Sequence, residues 1–535
     1  MSKDKFLKGA LILTVAGVVV KIIGSVNRIL LSRLLGGEGI GLYQMAYPIY
    51  LLAISISSAG IPVAISIMVS ERVALGDYRG ANRVFKISLA MLVVTGLFFT
   101  GLLFYGARWL IDNQLVRDPR AYYAIVALAP ALFFVTLLSS YRGYFQGLQF
   151  MIPTGVSQIM EQLLRVVTMI GLAYWLLPRG LEFAAAGASF GAGPGAVAAL
   201  VVLMIYYWRH SRILRERVDE QSVDIIQEST INIVKRIIRL ALPVLMASIM
   251  VPIVENIDLF IVPVRLEAAG FSIEQATEQF GYLTGMAIPL IAMATIPTLS
   301  MAASLVPAIS ESFTLGNREA IYQRTATAMR LTNLVVIPAF VGMGLLAEPI
   351  SKMLYGTPQA GVSIAILSLG IVLLGWQQVT TGILQGLGHI NIPLLTMLAA
   401  AVVKIVLNWV LTAIPALGIK GAAWATNADF LVAALLNMYF IQRYVGFRMD
   451  LKETAKAVVA AALMGVTVHF SFAFILQQVA GKSSLATLAA ILIGGLVYFL
   501  ALVLLGGVEA RDIERIPKAG KLLVLVLRKI RLLRD

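Results

Sequence analysis

Runs of about 20 or more apolar residues, with no regular polar alternation, recur along the whole chain. They begin near residues 7, 40, 83, 120, 155, 183 and 237, and again near 279, 323, 358, 391, 419, 454 and 484, with glycine, proline or charge clusters between them. Barrel strands would be half as long and would alternate, so helices are expected. The pattern predicts an all-α integral membrane protein with about 14 transmembrane helices. The first run follows Lys3, Lys5 and Lys8 but continues past Lys21 and Arg28 to about Leu34 without a small-residue cleavage site, so it is expected to persist as a span.

Charge placement gives the orientation. With a cytoplasmic N-terminus, Arg72, Arg79, Arg83, the run from Arg209 to Arg217, Arg318, Arg324, Arg443, Arg448, Lys452 and Lys456 all lie inside. The opposite connections keep chiefly Arg117, Arg120, Arg179, Lys352, Lys420 and Lys482, as the positive-inside tendency requires. Both termini are then cytoplasmic, in the plasma membrane. The tail at 509–535 mixes leucines with Lys521, Arg528, Lys529, Arg531 and Arg534, which suits a helix on anionic inner-leaflet lipids or a solvated basic end.

The halves resemble each other. Ser70-Glu71 and Leu75-Gly76-Asp77 recur as Ser310-Glu311 and Leu315-Gly316-Asn317, and Gln146-Gly147-Leu148 recurs as Gln385-Gly386-Leu387, at a shared offset of about 240 residues. Six spans separate the copies, so both enter the membrane in the same sense, as in parallel repeats. The expected organisation is an N-lobe at 1–210, a linker at 211–234, a C-lobe at 235–446, two further spans at 447–508 and the tail, the pseudo-symmetric six-helix lobes enclosing a central cleft.

Composition narrows the chemistry. At 59% hydrophobic, 13% charged and mean hydropathy +0.87, the 535 residues leave no sizeable soluble domain. The net charge of +15 sits mainly between and after apolar runs, which argues for membrane topology and against nucleic acid. The chain has no cysteine and three histidines, so disulfides, thiolate metal sites and thiol catalysis are excluded and little is left for acid–base work. No cofactor is implied. Gly481-Lys482-Ser483 resembles the end of a phosphate-binding loop, but Leu476 stands where its first glycine is required.

Ionisable groups inside spans are costly, about 2.5–3.5 kcal/mol on insertion scales, so each needs a partner, a wet cavity or a function. Lys21 and Arg28 are seven apart on one helix face with Asn27 beside them, and Glu161 and Arg165 share the fifth span. Glu255 and Asp258 lie in the seventh, Lys404 and Asp429 in the eleventh and twelfth, and Arg142 and Arg330 nearer the cytoplasmic ends. Lys404 follows its Gln-Gly-Leu copy by the interval at which Arg165 follows the other, within a residue. Lys21, Arg28, Arg165 and Lys404 together would hold a phosphate out of bulk water. Structural readings stand beside these: Glu161 and Arg165 have the spacing of a mutual ion pair, and Arg142 and Arg330 could snorkel to headgroups. Glu255 and Asp258 would repel on one face, so they and Asp429 are candidates for ion coupling with Glu161, or neutralise cations. His469 reads as packing before proton relay. Prolines at 48, 62, 130, 243, 252, 289, 297, 338 and 393 mark bends.

The strings Phe6-Leu7-Lys8-Gly9, Gly24-Ser25-Val26-Asn27-Arg28, Glu38-Gly39-Ile40-Gly41-Leu42-Tyr43, Gly60-Ile61-Pro62-Val63-Ala64-Ile65-Ser66 and Arg142-Gly143-Tyr144-Phe145-Gln146-Gly147-Leu148 carry a resemblance. With Gln158, Glu161, Gln162 and Arg165, they are similar to the polysaccharide flippase branch of the multidrug, oligosaccharidyl-lipid and polysaccharide exporter superfamily. The resemblance implies a MATE-like fold of fourteen helices, six per lobe plus two C-terminal ones, and alternating access. It further implies a lipid-linked oligosaccharide carried from inner to outer leaflet, with a sporulation subfamily supplying peptidoglycan precursor to the spore cortex. Related lipid II flippases keep a cation at Lys21 and a charged pair at Asn27 and Arg28. Here Asn27 replaces one charge, and the second span, Ala46 to Val69, lacks the arginine those flippases place in it. The expected activity is therefore a flippase for an undecaprenyl-diphosphate-linked sugar, bound through Lys21, Asn27, Arg28, Arg142, Arg165 and Lys404. The alternatives are a cation-coupled drug exporter and a non-transporting scaffold for cell-wall synthases.

Overall fold

A computed structural model describes residues 3–58, 60–219, 228–478 and 483–507. The basic tail at 509–535, the middle of the linker at 220–227 and Gly481-Lys482 lie outside the described residues. No strand occurs among the described residues. The chain forms two compact units, Met1–Glu267 with Phe271–Gly281 and Ala268–Gly270 with Tyr282–Asp535. Unit 1 is built from α1 (Lys3–Ser58), α2 (Ile61–Ala74), α3 (Tyr78–Asp112), α4 (Ala121–Gly147), α5 (Ile152–Leu176), α6 (Leu181–Phe190), α7 (Ala192–Asp219), α8 (Thr230–Ser248), α9 (Met250–Ala268) and α10 (Ile273–Phe280). A π-helical turn, Gly281–Ala287, leads into unit 2. There α11 (Ile288–Ala294) and α12 (Ile296–Thr314) precede α13 (Arg318–Leu345), α14 (Ala347–Tyr355), α15 (Gly361–Gly386), α16 (Asn391–Leu411), α17 (Ile419–Val445), α18 (Leu451–Gln478) and α19 (Ser483–Leu504).

Among the described residues, ten segments are long and apolar enough to cross a membrane, or eleven if the helices 273–294 and 296–314, bent by 52° at Thr295, make one span. Fewer segments qualify than the fourteen expected, for physical reasons. The segment Ile12–Ala74 is 63 residues, about three hydrocarbon thicknesses at 1.5 Å per residue. Within it α1 is interrupted at Gly36, whose φ of 66° only glycine adopts without strain, giving helical stretches at 3–35 and 37–58. Helix α8 carries Lys235, Arg236 and Arg239, α9 carries Glu255, Asp258, Arg265 and Glu267, and α17 carries Lys420, Asn427, Asp429 and Asn437, all of which lower the hydropathy of these helices.

The repeat is visible in the packing of each unit. In unit 1, a Cβ added at Gly143 would lie 2.6 Å from the Pro62 carbonyl oxygen, and one at Gly147 would lie 2.7 Å from Val69 Cβ, so α4 seats its backbone on α2. In unit 2, a Cβ at Gly382 would lie 2.7 Å from the Ala302 carbonyl oxygen and one at Gly386 2.8 Å from Ile309 Cβ, seating α15 on α12 in the same register. Small residues four apart let membrane helices approach this closely. The turns match too. Asp77 Oδ1 accepts from Gly80 N at 2.7 Å to start α3, and Asn317 Oδ1 accepts from Ala320 N at 2.9 Å to start α13. The ends of α4 and α15 close alike, Phe150 N donating to Phe145 O and His389 N to Leu384 O, both at 2.9 Å.

Buried polar groups pin the remaining helices. In unit 2, Asn437 on α17 donates to Thr380 and Thr381 and accepts from Thr396 at 2.7 Å, tying α15, α16 and α17. Trp376 Nε1 donates to Asn333 Oδ1 at 2.7 Å, and Asn333 donates to Thr454, linking α13, α15 and α18. In unit 1, the connection between α3 and α4 holds α9 and α10. Arg117 forks onto Glu267 with both bonds at 2.8 Å. Fully buried Asp118 accepts from Thr277 and Arg120, and Arg120 also reaches Glu38 at 2.6 Å. The bonds to Glu267 and Asp118 hold the Arg117 and Arg120 guanidiniums even more firmly protonated than usual. The end of α10 lies against α1: a Cβ at Gly281, the next residue, would clash with the Gly37 carbonyl oxygen.

Glycine-to-valine changes at Gly143 or Gly382 should each cost about 1–3 kcal/mol or more by overpacking, while Gly101→Ala on α3, where nothing lies within 4 Å, should cost nothing. Thermal unfolding of the three purified variants checks this, and equal midpoints would contradict the seating.

Candidate functional site

Helices α1, α4 and α5 of unit 1 carry Lys21, Arg28, Arg142, Glu161 and Arg165. Glu161 on α5 bridges two arginines: its Oε2 accepts from Arg142 Nη2 of α4 at 2.8 Å and its Oε1 from Arg165 Nη2 at 2.7 Å. Arg142 Nε also donates to Ser157 Oγ at 3.3 Å. The Glu161–Arg165 pair read from the i, i+4 spacing is present, and Arg142, instead of standing alone near a headgroup, shares its carboxylate. Two cations on one anion leave this group with a net charge of +1. The three side chains are 14–19% exposed, so each keeps a strip of accessible surface.

The second stretch of α1 presents a tyrosine face to this cluster. Tyr43, Tyr47 and Tyr50 are four and three residues apart, with ring centroids at 5.4 and 6.0 Å. Tyr43 lies within electrostatic reach of both Arg28 and Arg165, and Tyr50 within reach of Arg165 and Glu161. Arg28 and Arg165 thus both act electrostatically on Tyr43. Sequence reasoning missed these tyrosines, although their i, i+4, i+7 spacing was the available signal. Two donors in the cluster have no acceptor among the described residues: Arg165 Nε and the hydroxyl of Tyr50, a residue 1% exposed.

The other candidates are placed as follows. Lys21 is exposed on α1 and Arg28 half-buried, neither with a carboxylate within 4.0 Å among the described residues. Asn27 is buried against α5, its Nδ2 3.5 Å from Met169 Sδ and its Oδ1 without a donor, which makes it a packing residue in this state. On α9, Glu255 is exposed and Asp258 is buried. In unit 2, Lys404 is 3% exposed on α16, Asp429 and Arg330 are half-buried on α17 and α13, and His469 on α18 is exposed. No group of three or more metal-ligating side chains occurs among the described residues.

The model of a family described as "Polysaccharide biosynthesis protein" matches residues 6–313, more than half of the chain. The chain belongs to this family. A MatE model matches residues 283–410. This family member is 31% identical to stage V sporulation protein B of Bacillus subtilis (strain 168), covering 98% of this chain and all of the relative. It is 28% identical to the lipid II flippase MurJ of the same organism, covering 96% and 98%. Among solved structures, a lipid II flippase MurJ in an inward closed conformation superposes with TM-score 0.68 at 15% identity, covering 92% of this chain and 98% of that one. An inward-facing multidrug resistance MATE family transporter of the MOP superfamily superposes with TM-score 0.66 at 16% identity, covering 80% and 94%. The fold is thus the all-helical, MATE-like fold of the MOP superfamily, in a multi-pass membrane protein.

Because the Asn27 oxygen is buried without a donor, Asn27→Leu should leave the thermal midpoint unchanged or raise it by up to about 1–2 kcal/mol of stability. A lowered midpoint would show that the Nδ2 bond to Met169 outweighs the unmet oxygen.

Proposed function

We propose that the protein is a flippase that moves an undecaprenyl-diphosphate-linked oligosaccharide across the plasma membrane by alternating access, a peptidoglycan precursor for the spore cortex being the cargo its relatives point to. The observation that supports this most is the cationic surplus on α1, α4 and α5. Arg142 and Arg165 share one carboxylate, and Arg28 and Arg165 both act electrostatically on Tyr43, in segments where every uncompensated charge is costly. A diphosphate is the natural complement of such a surface.

In this reading Lys21, exposed one face-repeat before Arg28, meets the cargo early, and Lys404 of unit 2 supplies the matching cation of the repeat. Both termini are cytoplasmic by the positive-inside pattern, and the tail at 509–535 lies on anionic lipids. Glu255, Asp258 and Asp429 are the candidates for ion coupling. A rocking transporter moves its cargo only if its two states hold it with different affinity. A drug exporter would need carboxylates to outnumber cations around the aromatic face, and the reverse is found.

Reconstituted into vesicles with lipid-linked precursor, the wild type should flip it, while Lys21→Ala and Arg28→Ala should lose at least about tenfold of the rate, the worth of one charge-assisted bond of about 1.5–3 kcal/mol. Full flipping by both well-folded variants would refute the role of these cations.

A further inference from the structure

Two features of the α1–α4–α5 cluster are left unexplained by a static ion-pair network. The first is the shape of the bridge. Glu161 accepts one bond through each oxygen, from Arg142 at 2.8 Å and from Arg165 at 2.7 Å, and so holds two like charges side by side as a bound oxyanion would. The second is the pair of idle donors beside it. Arg165 Nε and the Tyr50 hydroxyl are buried without an acceptor, although each buried unmade bond costs about 1–3 kcal/mol. A guanidinium N–H can only donate, so what is missing is an acceptor. Two guanidiniums with Arg28 within reach of the same tyrosine face exclude a cation as the missing group. What fits is an additional oxyanion.

We propose that Glu161 is a resident counter-ion that occupies, between Arg142 and Arg165, the place taken by a phosphate oxyanion of the cargo, and that Tyr50 donates to that oxyanion once it arrives. This rests on the flippase reading and assigns it a binding subsite and a means of release. In the resting state the carboxylate keeps the two guanidiniums together without cargo. As the diphosphate enters, the arginines exchange one acceptor for another, so the desolvation of two buried cations is never left uncompensated. Arg165 Nε and Tyr50 Oη then gain the acceptor they lack. When the Arg–Glu bonds re-form, the carboxylate competes the phosphate off, which supplies the difference in affinity that release requires. Any phosphate ester could present such an oxyanion; the diphosphate of a polyprenyl-linked sugar presents two adjacent ones to two adjacent guanidiniums, whereas a bulk phospholipid headgroup presents one.

The test is binding of inorganic diphosphate to the full chain in detergent, measured calorimetrically alongside thermal unfolding. Tyr50→Phe removes a hydroxyl that has no partner at rest, so its midpoint should equal or exceed that of the wild type while diphosphate affinity falls about tenfold. Glu161→Gln removes the competitor, so diphosphate should bind at least tenfold more tightly and should raise the midpoint by more than it does in the wild type. Should Glu161→Gln not fold alone, refolding on addition of diphosphate counts the same way. Polyprenyl diphosphate in micelles should follow the same two shifts, and phosphatidylglycerol at equal concentration should not displace it. Unchanged or weaker diphosphate binding by Glu161→Gln, full affinity in Tyr50→Phe, or equal displacement by phosphatidylglycerol would each overturn the assignment. Because binding is read without vesicles, loss of lipid flipping with these shifts intact would count against the transport reading alone.

Discussion

Helices in hydrocarbon gain nothing by hiding apolar side chains from one another, so their association depends on how closely backbones can approach and on polar groups that would otherwise stay unmade. The glycine seats meet the first requirement. Gly143 and Gly147 lay α4 on α2, and Gly382 and Gly386 lay α15 on α12, with the side chains they face at corresponding positions. The capped turns that follow α2 and α12, at Asp77 and Asn317, fix where the next helix leaves. Interhelical bonds such as Asn437 to Thr380 and Thr381 complete the arrangement where no glycine serves.

The same scarcity of water governs the charges. A guanidinium within a span must be answered, and in unit 1 a single carboxylate answers two of them. The ends of the unit treat charge differently: at the connection from α3 to α4, Arg117, Arg120, Asp118, Glu267 and Glu38 pair off in near balance and hold α9 and α10 in place. Balanced charge there acts as a fastener, whereas the surplus around Glu161 is a capacity for something negative. The tyrosines of α1 supply an apolar wall beside that surplus and keep the local dielectric low, which strengthens each bond made there.

Much of this was legible in the sequence. Apolar runs gave the helical membrane class, and the 240-residue offset of Leu-Gly-Asp and Gln-Gly-Leu marked turns and glycines that prove equivalent in the fold, because both depend on local backbone requirements. The pairing of Glu161 with Arg165 followed from helical spacing. What sequence could not give was Arg142 as their third member, since the contact between α4 and α5 spans 19 residues around a turn. Nor did it give the burial of Asn27 against Met169, 142 residues away, or the tyrosine face, whose spacing carries meaning only once α5 is known to lie opposite. Counting spans by hydropathy also falters where function needs polarity, as along α17, or where a glycine divides one long apolar stretch, as at Gly36.

The sequence repeat and the packing units are different quantities, and the difference bears on biogenesis. Unit 1 draws α8, α9 and α10 from beyond the linker, up to Gly281. A ribosome adding about 5–20 residues per second needs roughly 3–12 s more to carry synthesis from residue 220 to residue 281. During that interval the bare backbone of α1 around Gly37 and Gly41, later covered by α10, must wait, and Asp118, already held by Arg120, lacks its Thr277 donor. The first half of this protein is therefore not a finished folding module when it leaves the insertion machinery, and its completion is timed by the translation of the second.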